Sequence, residues 1–336
     1  MSDDSRTSLA LGIDLGGTKL GLALIDRAGG VARSERRAID AEGGPERLVA
    51  AIAAAALELV EAAPAAVGSV GVGFAGQVDA RAGVVRSAPN LAGWADFPLV
   101  EALGEAVGRP VAILNDVSAT TLAEHAAGAG RGVDDLVVVT LGTGVGGGVI
   151  AGGRLLEGAG GYGGELGHMT LVADGRRCRC RNRGCLEAYA GGWAIAERAR
   201  EAVDEAPEAG RALLAAAGGS AEITAAAVAL AARAGDPLAR RLVEETGRLL
   251  GAGLVSLIHV FNPRRLVLGG GVIEGLPDLV AAAAAEVRRR AIAVFLEDLE
   301  ILPAALGADA GMVGAGLLAH RKFGSAAVEA ELGAER

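Results

Sequence analysis

Three cysteines and one histidine lie close together in a 336-residue chain that has no other cysteine. Cys178, Cys180 and Cys185 fall within eight residues, and His168 precedes the first of them by ten residues. Three thiolates and one imidazole are the donor set of a closed, tetrahedral zinc site of the structural kind. The residues alone leave unligated thiols as the alternative, because the spacing C-x-C-x₄-C is not the common C-x₂-C.

Disulfides are a poor explanation for the same cysteines. Their odd number leaves one thiol unpaired, and the chain begins MSDDSRTSLALG, without the basic and apolar regions of a secretory signal. We therefore expect a cytoplasmic protein, and structural disulfides are rare in that reducing compartment.

Acidic side chains flank the cysteine segment on both sides. Glu165 lies in GGELGH and Glu187 lies in GCLEAY, so a metal-bound loop would present two carboxylates to a polyol. The imidazole of His168 has two distinct nitrogens, and one can bind zinc while the other binds a substrate hydroxyl.

A further carboxylate ends an apolar run. Asp116 closes VAILND, which has the pattern of a buried strand. At such a strand end the carboxylate can face a cleft and act on a substrate. The alternative is that the Asn-Asp pair only caps the helix that follows.

Three glycine-rich segments have the composition of phosphate-binding loops. LGTGVGGG and DLGGTK are each flanked by strand patterns, which predicts two hairpins. Glycine turns can adopt positive φ angles and expose backbone N–H groups to phosphate oxygens. The alternative is that these are plain tight hairpins. Asp14 can hold Mg²⁺ through water, Thr18 can donate to a phosphate, and Lys19 either reaches a phosphate or is a surface lysine. LGGG, at the start of a helix, would lie near the adenosine. The ATP-binding candidates are Asp14, Gly16, Gly17, Thr18, Lys19, Gly142, Thr143, Gly144, Gly146, Gly269, Gly270 and Gly271.

Composition excludes several classes of function. The net charge of −9 argues against nucleic-acid binding, which needs a basic face. No window holds eighteen consecutive strongly apolar residues, so we expect no membrane span. Hydrophobic residues make up 51% of the chain, which is ample for a full core.

The elements that must position these residues form two halves of similar plan. Each half opens with a strand–glycine–strand hairpin, and this predicts two α/β lobes around a cleft. We expect the first lobe at 5–116, with a helix at about 305–322 packing back on it. The larger lobe, with the zinc loop, is expected at 117–304, and a disordered tail at 325–336.

In order along the chain, GIDLGGTK, APNLAGW, LND, LGTGVGGG, GGELGHM, CRCRNRGCLEAY and NPRRLVLGGG resemble the motifs of the ROK (repressor–ORF–kinase) family of sugar kinases. The resemblance runs from about Leu11 to Leu317. It implies the two-lobed, actin-like (ribonuclease-H-like) ATPase fold of the hexokinase superfamily. It also implies Mg²⁺-dependent transfer of phosphate from ATP to a hexose, with glucose and its 6-hydroxyl as the first expectation.

The same resemblance implies roles for individual residues. Asp116 becomes the general base, and the zinc becomes structural, held by His168, Cys178, Cys180 and Cys185. The sugar ligands become Asn90, Asn115, Asp116, Glu165, His168 and Glu187.

Alternatives within the family remain open at this point. Kinases of N-acetylglucosamine and N-acetylmannosamine have similar motifs. A sugar-sensing regulator would carry an N-terminal helix-turn-helix domain, but here the first hairpin begins at about Leu11. We expect a homo-oligomer, a dimer or a tetramer.

The chain departs from the family pattern at Ala75, Gln77 and Arg181, and in NDVSATTLAE, which replaces the commoner N-D-A-N-A-A. Ala75 and Gln77 stand where prolines are common, so we expect a less rigid loop with some added space. Arg181 stands where the family has glycine. All four metal ligands are still present, so the zinc prediction is unaffected.

Overall fold

The computed structural model describes residues 8–40, 43–88, 91 and 93–334, with side chains as far as 324. The strands are β1 (Leu9–Leu15), β2 (Lys19–Ile25), β3 (Val31–Ala38), β4 (Val67–Phe74), β5 (Gln77–Asp79), β6 (Val84–Ser87), β7 (Ala95–Phe97), β8 (Val111–Asn115), β9 (Leu136–Leu141), β10 (Val145–Ala151), β11 (Arg154–Leu155), β12 (Arg265–Gly269) and β13 (Glu300–Pro303). The α-helices are α1 (Gly44–Glu61), α2 (Leu99–Val107), α3 (Asp116–Ala126), α4 (Glu187–Ala190), α5 (Gly192–Glu205), α6 (Arg211–Ala217), α7 (Ala225–Arg233), α8 (Pro237–Phe261), α9 (Gly271–Gly275), α10 (Pro277–Arg290) and α11 (Ala310–Ala334).

The chain divides into two compact units. The first unit comprises residues up to 132, residues 155–163 and residues from 305 onward, and the second comprises 133–154 and 164–304. The chain therefore passes between the units four times. The domain limits expected from the sequence stay a prediction.

The first unit is built on a five-stranded sheet in the order β3-β2-β1-β4-β8. β1 and β2 form an antiparallel hairpin, while β4 runs parallel to both β1 and β8. α11 packs on this sheet at β1 and β4, where side chains on Gly12 and Gly71 would overlap its backbone. Glycine at these positions lets the helix approach the sheet closely.

The second unit repeats this arrangement. Its five-stranded sheet has the order β11-β10-β9-β12-β13, in which β9 and β10 form a hairpin and β12 runs parallel to β9 and β13. Both hairpins expected from the alternating apolar pattern are therefore confirmed. The apolar faces of α5, α7, α8 and α10 cover this sheet and build one buried core with it.

The last helix is longer than the sequence suggested. α11 continues to Ala334, into the segment where the sequence analysis expects disorder. The residues SAAVEAEL there are mostly strong helix formers. The helix can extend through them from its preceding turns, because extension needs no new nucleation step. Among the helices that the structure describes, none combines the length and apolar character needed to cross a membrane.

Candidate active site and metal centre

The four expected zinc ligands come together in the second unit. Their ligand atoms all lie within 4.8 Å of one another. Cys178 Sγ is 3.7 Å from His168 Nδ1, and Cys180 Sγ is 3.7 Å from Cys185 Sγ. Because bonds of about 2.3 Å in a tetrahedron place two sulfurs about 3.8 Å apart, this donor set fits Zn²⁺.

Short-range backbone contacts shape the segment that carries the cysteines. Cys178 N–H donates to Asn182 O at 2.9 Å, and Arg181 N–H donates to Cys178 O at 3.1 Å. Arg181 closes this turn with φ +77°, the left-handed conformation that favours glycine. A glycine at this position would adopt the turn without strain, whereas the arginine adopts it at a cost.

Burial sets the chemistry of the thiols. Cys178 and Cys185 are buried while Cys180 is exposed. Burial raises the pKa of the Cys178 thiol to about 12, and it also raises the pKa of Cys185. Thiolates at these positions need a cation to offset their charge, and a divalent metal that displaces the protons provides one.

The metal segment is anchored to α5 through an arginine. The Arg176 guanidinium donates to Glu201 at 2.7 Å and to Glu197 at 2.9 Å. The backbone N–H of Arg176 donates to the hydroxyl of Tyr189 at 2.9 Å. Sequence reasoning missed these contacts. The i, i+4 spacing of the two glutamates was the available signal, since it places both on one helix face.

His168 uses its two nitrogens in different directions. Nδ1 faces Cys178, while Nε2 lies 3.9 Å from Glu165 Oε2. The histidine ends a short 3₁₀ helix, Leu166–His168, and Glu165 precedes this helix with an exposed side chain. Nδ1 is thus the nitrogen on the side of the metal ligands, and substrate binding by Nε2 stays a prediction.

Glu187 links the metal segment to the glycine hairpin of the second unit. Its Oε2 accepts the N–H of Val145 at 3.1 Å, at the start of β10. Its Oε1 accepts Trp193 Nε1 at 3.3 Å, and the Cys178 thiol donates to the same oxygen at 3.6 Å. The carboxylate thus holds three parts of the unit together.

The turn between β9 and β10 is supported from behind by backbone groups. Gly192 N–H donates to Gly142 O at 3.0 Å, and Trp193 N–H donates to Thr143 O at 3.1 Å. Gly142 and Thr143 are exposed. Apart from its two chain neighbours, no described residue has an atom within 4 Å of the position where a side chain on Gly142 would begin. An oxyanion can approach this open side of the turn.

Two glycines of this hairpin, Gly144 and Gly147, allow close contacts rather than unusual dihedral angles. None of the five glycines from 142 to 148 has a positive φ, and neither do Gly16 and Gly17 of the first hairpin, so the expectation of positive φ angles in these turns is wrong. A side chain on Gly144 would overlap Glu187 Oε2. Gly146 lies within β10, opposite Thr140, and is part of the strand rather than of the turn.

The third glycine segment lies beside the same hairpin. Gly269 ends β12, Gly270 precedes α9 with φ +90°, and Gly271 begins that helix. A side chain on Gly270 would overlap the carbonyl oxygen of Leu141, the last residue of β9. Here both the dihedral angle and the close approach require glycine.

The hairpin of the first unit exposes polar side chains at its turn. Gly16 N–H donates to Lys19 O at 3.0 Å, and Thr18 and Lys19 are exposed while Gly17 is half-buried. Asp14 lies in β1 against Gly311 of α11, where a side chain would overlap the carboxyl group. Burial raises the pKa of Asp14, and the Arg36 guanidinium acts in the opposite direction.

The structure separates the roles of Asn115 and Asp116. Asn115 is the cap of α3: its Oδ1 accepts the N–H groups of Val117 at 2.9 Å and Ser118 at 3.3 Å. Its Nδ2 donates to Gly76 O at 3.1 Å, which leaves at most one amide hydrogen for a sugar. Asp116 is the first residue of α3 and is half-buried, so the cap expected of the Asn-Asp pair is made by Asn115.

The loop that lacks the family's prolines is held by other bonds. Ala75 N–H donates to Leu15 O at 3.0 Å, a bond that proline cannot make. Ser87 Oγ donates to Gln77 Oε1 at 3.0 Å. Among the expected sugar ligands, Asn90 lies outside the described residues.

The sequence matches the ROK family over residues 10–322. It is 34% identical to a glucokinase of Thermotoga maritima, over 94% of this chain and 98% of that protein. It is also 34% identical to an N-acetylmannosamine kinase of Escherichia coli O157:H7, over 92% of this chain and 98% of that protein.

A solved structure gives the same relationship. The chain is 36% identical to a ROK family glucokinase from Streptomyces griseus, solved in complex with glucose and AMPPNP, with a TM-score of 0.78. The match covers 93% of this chain and 99% of that one. With the paired five-stranded sheets and the Cys₃His set described above, these similarities show that the chain belongs to the ROK family and has the actin-like two-domain ATPase fold.

Proposed function

We propose that this protein is an ATP-dependent hexose kinase that transfers the γ-phosphoryl group of Mg²⁺-ATP to the 6-hydroxyl of glucose. The observation that carries this proposal is its 36% identity, over nearly the whole chain, to a glucokinase solved with glucose and AMPPNP. The similarity to a curated glucokinase at 34% identity supports the same activity.

Asp116 is the general base of the proposed reaction. Its carboxylate takes the proton of the 6-hydroxyl as the hydroxyl oxygen forms a bond to the γ-phosphorus, and the bond to the departing ADP oxygen breaks. Two features support this role. Asn115 performs the capping, so Asp116 is not needed for it, and the N-terminus of α3 favours the charged carboxylate.

The sugar is bound through hydrogen bonds to its hydroxyl groups. Nε2 of His168 points away from the metal ligands and beside Glu165, and both groups suit a polyol. Sites built to bond a hydroxyl discriminate strongly against sugars that lack it. The proposed ligands are Asn90, Asn115, Asp116, Glu165, His168 and Glu187.

The two hairpin turns and the third glycine segment bind ATP in this proposal. The open faces at Gly16 and Gly142 admit phosphate oxygens, and Thr18 and Lys19 add side-chain donors. Asp14 holds Mg²⁺ through water, in keeping with the preference of this ion for few protein ligands. The remaining proposed contacts are Gly17, Thr143, Gly144, Gly146, Gly269, Gly270 and Gly271.

Zinc has a structural role in the proposal. When bound by His168, Cys178, Cys180 and Cys185, it supplies folding free energy to a segment that has little regular structure. The segment in turn positions Glu165, His168 and Glu187. We also propose that the enzyme works in the cytoplasm, where ATP is available. We further propose that it forms a dimer or a tetramer, and light scattering measures this oligomeric state.

A second candidate activity is the phosphorylation of an N-acetylhexosamine. The 34% identity to an N-acetylmannosamine kinase favours it, and the small side chain of Ala75 leaves space in a loop where the family has proline. The glucose proposal is favoured because the polar candidates suit a hydroxyl on every carbon.

A coupled ADP-release assay with a panel of sugars tests the proposal. We expect glucose to give the highest kcat/KM. A tenfold preference for N-acetylglucosamine or N-acetylmannosamine, about 1.4 kcal/mol in transition-state binding, would replace glucose but keep the kinase. Sugar binding without any ADP release would point instead to a regulator without catalysis.

A further inference from the structure

Glu124 is a carboxylate with no solvent exposure near the end of α3. Its Oε2 accepts the N–H of Ala129 at 2.8 Å, and its Oε1 accepts the N–H groups of Ala305 at 3.0 Å and Leu306 at 2.9 Å. A side chain on Gly128 would overlap Oε2, so the backbone closes over the carboxylate. None of the roles described above uses this buried group.

The partners of Glu124 lie at two of the places where the chain changes units. The opening segment of the first unit ends at 132, shortly after Ala129. The chain returns to this unit for the last time at Ala305. One carboxylate therefore holds the backbone just before the first passage and just after the last. These partners are 5 and 181 residues away in the sequence.

Ala304, the residue before Ala305, belongs to the second unit and is hydrogen-bonded within it. Ala304 N–H donates to Leu268 O at 2.9 Å, in β12 just before the glycine segment that begins at Gly269. Two consecutive N–H groups thus bond to different elements: the one at 304 to β12, and the one at 305 to α3 through Glu124.

The helix that Glu124 holds begins with the proposed base. Asp116 is the first residue of α3 and Glu124 lies two turns further along it. Bonds from backbone N–H groups to a carboxylate are short and directional, and an unpaired buried N–H costs about 1–3 kcal/mol. The carboxylate consequently couples the position of α3 to both passages of the chain.

We propose that Glu124 is a positioning residue for phosphoryl transfer, which fixes both passages to the helix that carries Asp116. This role rests on the proposed kinase function. A small misplacement of a reacting group by a change far from the chemistry can cost about 10²-fold in rate. Loss of the carboxylate is therefore expected to lower kcat more than it changes either KM.

The test compares Glu124→Gln with Thr121→Ala. Glutamine keeps one acceptor oxygen and puts an NH₂ group against N–H donors at the other. Thr121 is equally buried on the same helix, but its hydroxyl donates within that helix, to Val117 O at 2.8 Å. Amide hydrogen exchange is followed in peptides covering 127–131 and 304–308, and kcat and KM are measured for glucose and ATP.

We expect Glu124→Gln to speed exchange in both peptides at least tenfold and to lower kcat at least tenfold, with each KM within threefold. Thr121→Ala should change neither peptide. The proposal is overturned if exchange in Glu124→Gln matches that of the wild type. It is equally overturned if exchange rises while kcat stays within twofold of Thr121→Ala.

A second variant covers poor folding of the first. Gly128→Ala leaves the carboxylate in the chain but displaces it, and the same pattern of exchange and kcat is expected. If neither variant folds, Glu124 serves stability and the positioning role is overturned. If the wild type phosphorylates no sugar, both the proposed kinase function and the positioning role are overturned. The exchange data still show whether Glu124 holds the two backbone segments.

Discussion

The proposed sugar-binding residues are held in different ways in the two units. In the first unit, Asn115 ends β8 and Asp116 begins α3, so a strand and a helix determine their positions. In the second unit, Glu165 and His168 lie at a three-residue 3₁₀ helix, and Glu187 begins a four-residue helix. Isolated β-bridges between Thr170 and Cys185 and between Arg177 and Arg183 join the segment between them.

This difference shows where each half obtains its order. Backbone hydrogen bonds of regular elements suffice for Asn115 and Asp116. The second set has few such bonds and lies around a Cys₃His donor set, so we expect a metal to supply the missing order. A change in the first set should impair the chemistry and leave the structure, whereas loss of the metal should impair both.

The largest effect is expected from Cys180→Ser. Cys180 is exposed, so serine fits its position but removes one of four ligands. We expect a wild-type content of about one Zn²⁺ per chain, and the variant to lose both the zinc and the kinase activity. Elemental analysis and the coupled assay measure these, with the exposed Arg177→Ala in the same segment as a control. A fully active protein without zinc would show that the metal is not needed.

The next largest effect is expected from Asp116→Asn. Loss of a general base lowers kcat by about 10²–10⁴-fold, or roughly 3–5 kcal/mol. Zinc content and AMPPNP binding should persist, because neither the metal ligands nor the glycine hairpins change. Steady-state kinetics and titration calorimetry measure both. Near-normal kcat would remove Asp116 from the chemistry.

Matched substitutions in the two hairpins extend the comparison to the turns. A side chain on Gly144 would overlap Glu187 Oε2, whereas one on Gly16 meets only Lys19 O, at 3.6 Å. We expect Gly144→Ala to lower the free energy of unfolding by about 1–3 kcal/mol. Gly16→Ala should change it by about 0.5 kcal/mol or less. Urea denaturation measures both, and equal effects would contradict the separate support of the second turn.

A smaller loss is expected from Asn115→Ala. The variant removes the cap of α3 and the bond to Gly76 O, so the free energy of unfolding should fall by about 0.5–2 kcal/mol. Zinc content should not change, because the ligands lie in the other unit. Thr224→Ala, which removes a cap that accepts only Ala227 N–H, is the comparison and should cost less. An unchanged stability of Asn115→Ala would show that the cap contributes nothing.

The smallest effect, and the only gain, is expected from Arg181→Gly. Arg181 has φ +77°, a conformation that costs a non-glycine residue about 1–2 kcal/mol. Glycine adds unfolded-state entropy of about 0.4–1 kcal/mol, so the net gain should be about 0.5–1 kcal/mol. Thermal denaturation of the zinc-bound protein measures it. Arg183→Gly, at a position without positive φ, should destabilise, and a gain there as well would refute the backbone argument.

Features of the site that depend on nearby residues could be predicted from the sequence. The metal ligands span only 18 residues, from His168 to Cys185, and the expected donor set is the one that comes together. Both hairpins followed from alternating apolar residues on either side of glycines. The order of the motifs identified the family, since each motif is a short contiguous stretch.

Choices between adjacent residues could not be made in the same way. Asn115 and Asp116 are both good helix caps, and helix ends are uncertain by one or two residues from sequence. Only the backbone angles and the bonds to Val117 and Ser118 assign the cap to Asn115. The positive φ angles expected for the second hairpin were wrong because close packing against Glu187 also requires glycine.

The sequence by itself predicted the two hairpins and the metal ligand set, because these depend on residues close together in the chain. It predicted the family, and with it the fold, through the order of short motifs. Tertiary structure alone decided the contacts of single carboxylates. Glu187 accepts the N–H of a residue 42 positions away, and Glu124 accepts one 181 positions away. Neither partner contributes a side chain to the bond. A backbone N–H is present at every residue except proline, so no pattern of side chains marks which one a distant carboxylate will bind.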